Sequence, residues 1–415
     1  MAGVFYNLFV SILSVILQIA FVGKGKLGLF VRGRRNLPAA LRSKLENNTG
    51  PVIWIHCPSL GEFEQGRTVL DELRRRFPGH VLLLTFFSPS GYELRKQYAN
   101  ADIVSYLPFD TRGAVMEFVS VARPELVILV KYDFWPNLLF ALEKQAVPVV
   151  AISSIFRSEQ IYFKWYGSFF LRALKTIDRF FLQDVDSEKL LRNYGITEAE
   201  VTGDTRFDRV AQVVAYAQPV PEVAAFVGEH ECWVVGSAWP EDMEVIGPMI
   251  AANAQHRRVV IVPHEVDEKS LLAIENHCRA RSIRLSQLSM AEHSADVLII
   301  DRMGLLSRVY RYATYAWIGG AFGKGLHNIL EAAAYGKPVF FGNRNYKKFR
   351  EANAMIAAGG AWAVADHEQL HQQLQSIAPG SEGYIKACSV SGDYVRTNTG
   401  ATEKIVSWCT KLLKS

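Results

Sequence analysis

The stretch GGAFGKGLHNILEAAAYGKPVFFG, residues 319–342, places glycines, a lysine and a histidine between a hydrophobic strand and a helix. Residues 313–320 predict a buried strand that leads into it, and the apolar run PVFFG at its end predicts a second strand. Between the two, Asn328 and Glu331 have the spacing of a capping box, and Gly336 is placed to end a helix. A glycine loop between a strand and a helix N-terminus predicts an anion site.

This loop matches neither of the two common phosphate-binding patterns. No glycine lies five residues before Gly323, which excludes a Walker A loop, and the glycines do not have the G-x-G-x-x-G spacing. The loop alone therefore leaves the identity of the anion open.

Ten short apolar runs extend the strand–helix pattern over both halves of the chain. They are residues 52–57, 81–87, 126–130, 148–153 and 179–184, then 232–237, 258–264, 297–301, 315–320 and 338–342. Their alternation with helical segments predicts an α/β fold with two Rossmann-like domains facing a cleft, each with a parallel sheet. The proline-containing segment 215–226 is the best linker. We therefore predict an anchor and basic flank at 1–35, a first domain at 36–214 and a second at 215–415.

Composition narrows the class of protein. A chain of 415 residues with 49% hydrophobic and 21% charged residues is typical of a globular protein with two domains. The net charge of +5 does not by itself decide whether nucleic acid binds, and nucleic acid is not among the predicted partners. The five cysteines form no CxxC pair, so neither a zinc site nor a disulfide framework is indicated.

The N-terminus predicts a membrane anchor. Residues 4–22 are mostly apolar and carry no charge, and seven Lys and Arg residues follow at positions 24–44. A signal peptide has its positive charge before the apolar run, so an uncleaved anchor is favoured, with the rest of the chain on the cytoplasmic side. Polar residues weaken a spanning helix and leave a helix lying in the membrane interface as the alternative. These residues are Asn7, Ser11, Ser14 and Gln18.

In the first half, the loop after the first strand carries Glu62, with Ser59, Gly61 and Arg67 nearby. A carboxylate there could act as a general base; the alternative is an acid that only stabilises the helix dipole. Further along, the pair Asp184 and Asp186 has the DxD pattern of metal-dependent sugar transferases. Because a helix follows directly, N-capping is the favoured role for this pair.

In the second half, four turns follow strand ends: residues 236–242, 263–265, 301–304 and 319–327. In parallel sheets, ligands bind beyond the carboxyl ends of the strands. We therefore interpret this half as a nucleotide-binding domain.

Five motifs in one order together resemble a known family. They are SLGE (59–62), FWPN (134–137), TGDTRFD (202–208), GSAWPED (236–242) and HNILEAAAYGKPVFFG (327–342). The chain resembles the 3-deoxy-D-manno-octulosonic acid (Kdo) transferases of lipopolysaccharide synthesis, from the anchor to about residue 365. The resemblance implies a glycosyltransferase B fold, which is two Rossmann-like domains, with an N-terminal anchor helix.

The resemblance also implies an activity. Members of the family move Kdo from CMP-Kdo to the lipid A precursor with inversion and without a metal or other cofactor, at the cytoplasmic face of the bacterial inner membrane. The expected partners are therefore CMP-Kdo, the lipid A precursor and the membrane surface, while the oligomeric state stays open. The alternatives are another two-domain nucleotide-sugar transferase or epimerase, and a non-catalytic tether that binds anionic lipid.

Site residues follow from the matching motif positions. Glu62 is the expected base, Asp133 and Arg206 are expected to stabilise the transition state, and Arg67 and Arg157 are expected to bind the acceptor. The expected CMP-binding residues are Ser237, Pro263, His264, Met303, Gly304, Leu305, Lys324, Gly325, His327, Asn328, Ile329, Leu330 and Glu331. Glu331 would accept hydrogen bonds from the ribose, with the capping role as the alternative. For Arg206, the alternative is an ordinary surface residue.

Three departures from the family pattern stand out. Lys131 takes the place of the first of two acids before the WPN triplet, so only Asp133 carries over from that pair. The glycine loop is one residue shorter than usual and has Leu326 where a glycine is expected. Ile155 replaces an expected arginine, with Arg157 two positions on.

Overall fold

A computed structural model describes residues 2–20, 25–252, 257–278, 280–288 and 295–414. Phe21 and Val22, at the end of the predicted anchor, and Lys24 in its basic flank lie outside the described residues. The chain forms two compact units: unit 1 is Met1–Arg209 with Thr399–Ser415, and unit 2 is Val210–Asn398.

Fourteen strands lie within the described part of the chain. In unit 1 these are β1 (Val52–Cys57), β2 (Val81–Phe86), β3 (Ile103–Tyr106), β4 (Pro124–Val130), β5 (Val149–Ser154), β6 (Arg179–Leu182) and β7 (Ala199–Val201). In unit 2 these are β8 (Glu231–Ala238), β9 (Arg257–Pro263), β10 (Ser282–Arg284), β11 (Val297–Ile299), β12 (Tyr315–Ile318), β13 (Val339–Gly342) and β14 (Ala361–Val364).

Helices precede, connect and follow these strands. The helices that begin in the first 209 residues are α1 (Ala2–Ala20), α2 (Lys26–Arg32), α3 (Leu37–Glu46), α4 (Leu60–Arg76), α5 (Pro89–Arg95), α6 (Arg112–Ala122), α7 (Pro136–Lys144), α8 (Ser168–Leu174), α9 (Val185–Asn193) and α10 (Thr205–Tyr216). The rest are α11 (Pro221–Val227), α12 (Pro240–Ala252), α13 (Glu268–His277), α14 (Leu306–Val309), α15 (Leu330–Ala333), α16 (Arg350–Ala358), α17 (His367–Ser376), α18 (Glu382–Thr397) and α19 (Ala401–Lys414).

Each unit contains one seven-stranded parallel sheet. The strand order is β3-β2-β1-β4-β5-β6-β7 in unit 1 and β10-β11-β9-β8-β12-β13-β14 in unit 2. All ten predicted runs are strands, which confirms the α/β class and the two Rossmann-like units. Four strands were not predicted (β3, β7, β10 and β14): β3, β7 and β10 each contain a polar or charged residue, and β14 lies in a segment rich in alanine and glycine.

The strands of unit 1 are apolar on both faces because helices cover both. Trp54 and Leu129 face a core formed with α3, α6, α7 and α8. Ile53 and Ile55, which alternate with Trp54 along β1, face a second core formed with α4 and α19.

The strand order gives each sheet a switch point. In unit 1, β1 leads through α4 to β2 on one side, whereas β4 lies on its other side. In unit 2, β8 leads through α12 to β9 in the same way, and β12 lies on the other side. Loops diverge at such points and leave a crevice at the carboxyl ends of the two central strands.

The boundaries of the two units differ from the predicted domain boundaries. The chain passes from unit 1 to unit 2 after Arg209, and its last residues return to unit 1. This return is fixed by Asp208, whose carboxylate accepts the backbone N–H groups of Gly400 at 2.6 Å and Thr402 at 2.9 Å. Asp208 belongs to the TGDTRFD motif, so part of that motif holds α19 in place.

We predict that Ile405→Ala destabilises unit 1. Ile405 is fully buried on α19 in the core that includes Ile53 and Ile55. Removing its side chain leaves a cavity that costs about 2–5 kcal/mol. Hydrogen exchange should therefore accelerate in β1, β2 and β4 but not in β8 or β12. The exposed neighbour provides the control, Lys404→Ala, which should leave both sheets unchanged; equal acceleration in both sheets would contradict the assignment of α19 to unit 1.

Candidate active site

Glu62 lies in the first turn of α4, directly after β1, at the switch point of unit 1. Its Oε2 accepts a short hydrogen bond from the hydroxyl of Ser59, the N-cap residue of α4. Its Oε1 lies 3.1 Å from Lys131 Nζ, at the end of β4. The Glu62 side chain is 19% exposed, so the carboxylate is sheltered but reachable.

The neighbours of Glu62 keep it ionised. Burial acts to raise the pKa of the Glu62 carboxyl, but the hydrogen bonds from Ser59 and Lys131 and the charge of Lys131 outweigh it. The pKa therefore lies below its ordinary value. The carboxylate is therefore unprotonated at neutral pH, the state that a general base requires before it takes a proton.

Lys131 takes an unusual backbone conformation to reach Glu62. Its φ is 73°, in the left-handed region that side chains other than glycine seldom adopt. Strand β5 holds it there, because Lys131 N donates to Ile152 O at 2.9 Å and Ser154 Oγ donates to Lys131 O at 2.6 Å. The sequence showed that a cation replaces the first acid before WPN; the structure shows that this cation is the ion-pair partner of the predicted base.

Asp133 ends a chain of buried hydrogen bonds. Its Oδ2 lies 2.8 Å from His56 Nε2, and His56 Nδ1 lies 2.9 Å from Thr85 Oγ1. Thr85 Oγ1 also accepts the indole N–H of Trp54 at 2.8 Å, so its own proton can go to His56 Nδ1. This arrangement places a proton on His56 Nε2 for donation to Asp133. His56 is fully buried and was not predicted as a site residue; a histidine within an apolar strand was its only signal.

Arg206 is held beside α4. Its Nε donates to Asp204 Oδ2 at 2.9 Å, and the same carboxylate accepts from Gln65 Nε2 at 3.1 Å. Thr205 Oγ1 donates to the backbone oxygen of Gln65. The side chain of Arg206 is therefore held in place beside the helix that carries Glu62. An ordinary surface arginine is less restrained.

The two predicted acceptor residues lie in different surroundings. Arg67 is on α4, but its guanidinium contacts Tyr98 at 3.1 Å, Glu64 at 3.7 Å and Asp71 at 3.8 Å rather than Glu62. Arg157 is exposed in the loop after β5. The acceptor role of both residues stays a prediction, and Arg67 already has a structural role.

In unit 2, Asp242 joins the loops on both sides of the switch point. It lies in the first turn of α12, fully buried, and its Oδ2 accepts the backbone N–H groups of Trp239 at 3.0 Å and Gly320 at 3.1 Å. Gly319 must be small here, because an added Cβ would lie 2.2 Å from Ser237 O. Asp242 was missed from the sequence, although it closes the GSAWPED motif.

Three rings stack above these loops. Trp239 and His264 stack with ring centroids 4.5 Å apart and an interplanar angle of 23°, and His264 and His327 are also 4.5 Å apart, at 31°. Trp239 Nε1 donates to His327 Nε2 at 3.2 Å, and Lys324 Nζ lies 4.8 Å from the Trp239 ring centroid. Burial and the nearby His264 lower the pKa of His327 to about 4, so it is neutral at pH 7. An aromatic surface next to a cation can bind a planar anionic ligand.

The glycine loop differs from the predicted one. Helix α15 has only four residues, Leu330–Ala333, and its N-cap is Ile329 rather than Asn328. Asn328 still accepts the backbone N–H of Leu330 at 3.1 Å and donates to Glu331 at 3.3 Å, so a contact of the capping kind is present one residue out of register.

Much of the loop's donor capacity is already used. Backbone N–H groups of six residues donate to groups within unit 2: Gly319, Gly320, Gly323, Gly325, Leu326 and His327. The loop in this conformation is therefore not the open set of N–H donors that the glycines suggested. An anion here would depend more on the charge of Lys324, which is exposed.

The other residues predicted to bind the CMP donor differ in how exposed they are. Met303 is 74% exposed and Gly304 has a φ of 81°, so the turn after β11 presents a flexible side chain and an open backbone. By contrast, four of the residues predicted to bind CMP have buried side chains, so they can contribute only packing or backbone atoms. They are Pro263, Leu305, Ile329 and Leu330.

The DxD pair is structural, as favoured from the sequence. Asp184 is the N-cap of α9, and its Oδ1 accepts the backbone N–H of Ser187 at 2.7 Å. Within the described residues, no three His, Cys, Asp or Glu side chains are grouped to hold a metal ion.

Comparison with known proteins identifies the relatives of this chain. Residues 32–209, almost all of the first 209, match the family model described as 3-deoxy-D-manno-octulosonic-acid transferase (kdotransferase). The 3-deoxy-D-manno-octulosonic acid transferase of Bordetella pertussis is 29% identical over 79% of this chain and 79% of the relative. The corresponding proteins of Rickettsia felis and Aquifex aeolicus are each 24% identical, over 87% and 81% of this chain and 79% and 88% of theirs.

Solved structures agree with the fold. The UDP-GlcNAc 2-epimerase of Neisseria meningitidis has a TM-score of 0.62 at 16% identity, and covers 87% of this chain and 100% of that one. A glycosyltransferase of Rickettsia africae has a TM-score of 0.55 at 11% identity, and covers 88% and 100%. At such low identity these two likenesses concern the fold alone.

The two Rossmann-like units and the sequence relatives define a glycosyltransferase of the B architecture. The family resemblance read from five motifs is confirmed: the chain is related to the Kdo transferases over most of its length.

We predict that His56→Leu destabilises unit 1 by about 1–3 kcal/mol, the cost of leaving buried polar partners unsatisfied. The leucine fills the space of the imidazole but can bind neither Thr85 nor Asp133. In His56→Gln the amide can still donate to Asp133, so the loss should be smaller. Denaturant unfolding of both variants measures the difference; equal stability of His56→Leu and wild type would mean that the chain of hydrogen bonds contributes nothing.

Proposed function

We propose that the protein transfers Kdo from CMP-Kdo to a hydroxyl group of the lipid A precursor, with Glu62 as general base. The observation that supports this most directly is the state of Glu62: a sheltered carboxylate, ion-paired with Lys131 and hydrogen-bonded to Ser59, at the switch point of a unit that matches the Kdo transferase family model. The choice of Kdo as the transferred sugar comes from the relatives, which are named 3-deoxy-D-manno-octulosonic acid transferases.

The proposed reaction is a single displacement. Glu62 takes the proton of the acceptor hydroxyl, whose oxygen forms a bond to the anomeric carbon of Kdo as the bond to the CMP phosphate breaks. One bond forms and one breaks on opposite faces of the sugar, so the configuration inverts. CMP leaves with the electron pair of the broken bond.

The cations near each site have proposed roles in this reaction. Arg206, fixed by Asp204, is proposed to stabilise charge in the transition state, and Lys324 to bind the CMP phosphate. The stacked rings of Trp239 and His264 offer a surface for the donor. In line with the family resemblance, the proposed reaction uses no metal or other cofactor.

The first test removes the proposed base. Glu62→Gln keeps the hydrogen bond with Ser59 but cannot take a proton, so turnover should fall by roughly 10²–10⁴-fold while CMP binding is unchanged. Transfer of labelled Kdo from CMP-Kdo to detergent-dispersed lipid A precursor is the assay, and Glu64→Gln on the same helix is the control. Turnover of Glu62→Gln within twofold of wild type would remove Glu62 from this role.

The second test uses the dependence of the reaction on pH. Because Lys131 lowers the pKa of Glu62, wild-type kcat/KM should fall on the acid side only when the pH drops below the ordinary range of a glutamate. In Lys131→Met the pKa of Glu62 rises, so this acid limb should move to higher pH, whereas Lys131→Arg should keep it low. An acid limb at the same pH in all three proteins would show that Lys131 does not tune the base.

A further inference from the structure

Helix α1 is apolar enough to enter a membrane and also packs on the rest of unit 1. Within the part of the chain that the structure describes, α1 is the one helix long and apolar enough to span a bilayer by itself. One stripe of it nevertheless contacts unit 1. Gly3 packs on Phe169, where an added Cβ would lie 2.7 Å from the ring, and Tyr6 lies with its ring centroid 5.5 Å from those of Phe169 and Phe170.

The stripe continues along the helix. Val10 and Ser14 are 8% and 6% exposed, and with Gly3, Tyr6 and Asn7 they recur at the three- and four-residue spacing of one helix face. At 1.5 Å per residue, the stretch from residue 3 to 14 covers about 16 Å of the helix. The contact with unit 1 therefore runs along the helix and is not confined to its C-terminal end.

A buried polar cluster fixes the first turns of α1. The carboxylate of Asp110, 3% exposed, accepts the hydroxyl of Tyr6 at 2.6 Å and the backbone N–H groups of Asn137 at 3.0 Å and Leu138 at 2.8 Å. The side-chain amide of Asn137 donates to Asn7 Oδ1 at 2.7 Å. Asn137 and Leu138 begin α7, directly after the segment that contains Lys131 and Asp133.

These contacts are incompatible with a helix that spans the bilayer. A spanning α1 would place its first turn roughly 28 Å from its last, on the far side of the hydrocarbon core from unit 1. Tyr6 and Asn7 would then lose Asp110 and Asn137, and those buried groups would be left without these partners. The positive-inside pattern favoured a spanning helix, with a helix in the membrane interface as the alternative. The contacts favour that alternative.

The opposite face of α1 is a large apolar surface. Its nine exposed large side chains are Val4, Phe5, Leu8, Phe9, Ile12, Leu13, Val15, Ile16 and Ile19, each 40% exposed or more. Soluble proteins rarely leave so much contiguous apolar surface to water.

Exposed aromatic side chains lie in the segment that leads to the α1 contact. Trp165 is 93% exposed and Tyr166 51% exposed, and they come just before Phe169 and Phe170, which pack on Tyr6. Tryptophan and tyrosine are the residues that favour the headgroup level of a bilayer. We use the name apolar keel for these two side chains together with the nine exposed apolar side chains of α1.

The basic flank offers fewer cations to an anionic membrane surface than its sequence suggested. Arg34 is buried, donates to the backbone oxygens of Phe30 and Phe87, and stacks on the Phe30 ring at 3.9 Å. Lys44 Nζ donates to Val104 O at 3.0 Å. Two of the seven cations therefore make hydrogen bonds within unit 1.

We propose that α1 lies in the plane of the membrane interface, docked on unit 1 through Tyr6 and Asn7, with the apolar keel inserted in one leaflet. The N-terminus and the C-terminus are then on the same side of the membrane.

Cysteine labelling tests the topology without reference to transfer activity. One variant carries a short Gly-Ser extension with a single cysteine before Met1, and the other carries Lys404→Cys at an exposed position of α19. Both have Cys388→Ser, because the other four native cysteines are buried. A membrane-impermeant maleimide should label both sites in inverted vesicles and neither site in spheroplasts. Labelling of the two sites from opposite faces would overturn the proposal.

A second measurement tests the apolar keel. If α1 lies in the interface, Trp165 and Tyr166 contribute to membrane binding, and the double variant Trp165→Ser/Tyr166→Ser should increase the soluble fraction of the full chain several-fold. Tyr216→Ser, which removes an aromatic side chain that is 80% exposed elsewhere, is the matched control. An unchanged soluble fraction in the double variant would show that α1 alone holds the protein, as a spanning helix would.

Discussion

Each parallel sheet has one switch point, and the candidate site residues of each unit lie around it. Neighbouring parallel strands whose crossovers go to opposite sides leave the ends of the two central strands uncovered. Buried strands β1 and β4 therefore deliver Glu62 and Lys131 to one place from positions 69 residues apart. In unit 2 the same arrangement at β8 and β12 brings Asp242 to the backbone of Gly320.

The two switch points differ in the chemistry that they hold. That of unit 1 is ionic: a carboxylate between a lysine and a hydroxyl, beside a second carboxylate bound to a buried histidine. That of unit 2 is aromatic, with stacked rings, one nearby lysine and a loop fixed by its own hydrogen bonds. A base that activates one substrate and a surface that binds another are the two functions that a transferase requires. The fold is shared with epimerases, so it is this division of chemistry and the sequence relatives that favour transfer.

Much of the fold could be predicted from the sequence, because long buried parallel strands are continuous apolar runs. The missed strands β3, β7 and β10 contain polar or charged residues and β14 is rich in alanine, so their pairing comes from the sheet rather than from a marked apolar run of their own. The return of α19 to unit 1 could not be predicted, since it depends on a contact between Asp208 and Thr402 that are 194 residues apart. Motif matches pointed to Glu62 and Arg206, whose roles stay predictions, whereas the buried hydrogen bonds of His56 and Asp242 leave no local pattern in the sequence. In the glycine loop, Gly319 and Gly320 serve close packing, a role that the sequence pattern does not distinguish from anion binding.

The proposed transfer requires unit 2 to bind a cytidine nucleotide at its switch point. Hydrogen exchange of the full-length protein with CMP and with UDP measures this binding. We expect CMP to slow exchange in segments 237–242 and 319–331, and UDP at the same concentration to leave these segments unchanged. Protection by UDP in place of CMP, or protection confined to unit 1, would contradict it.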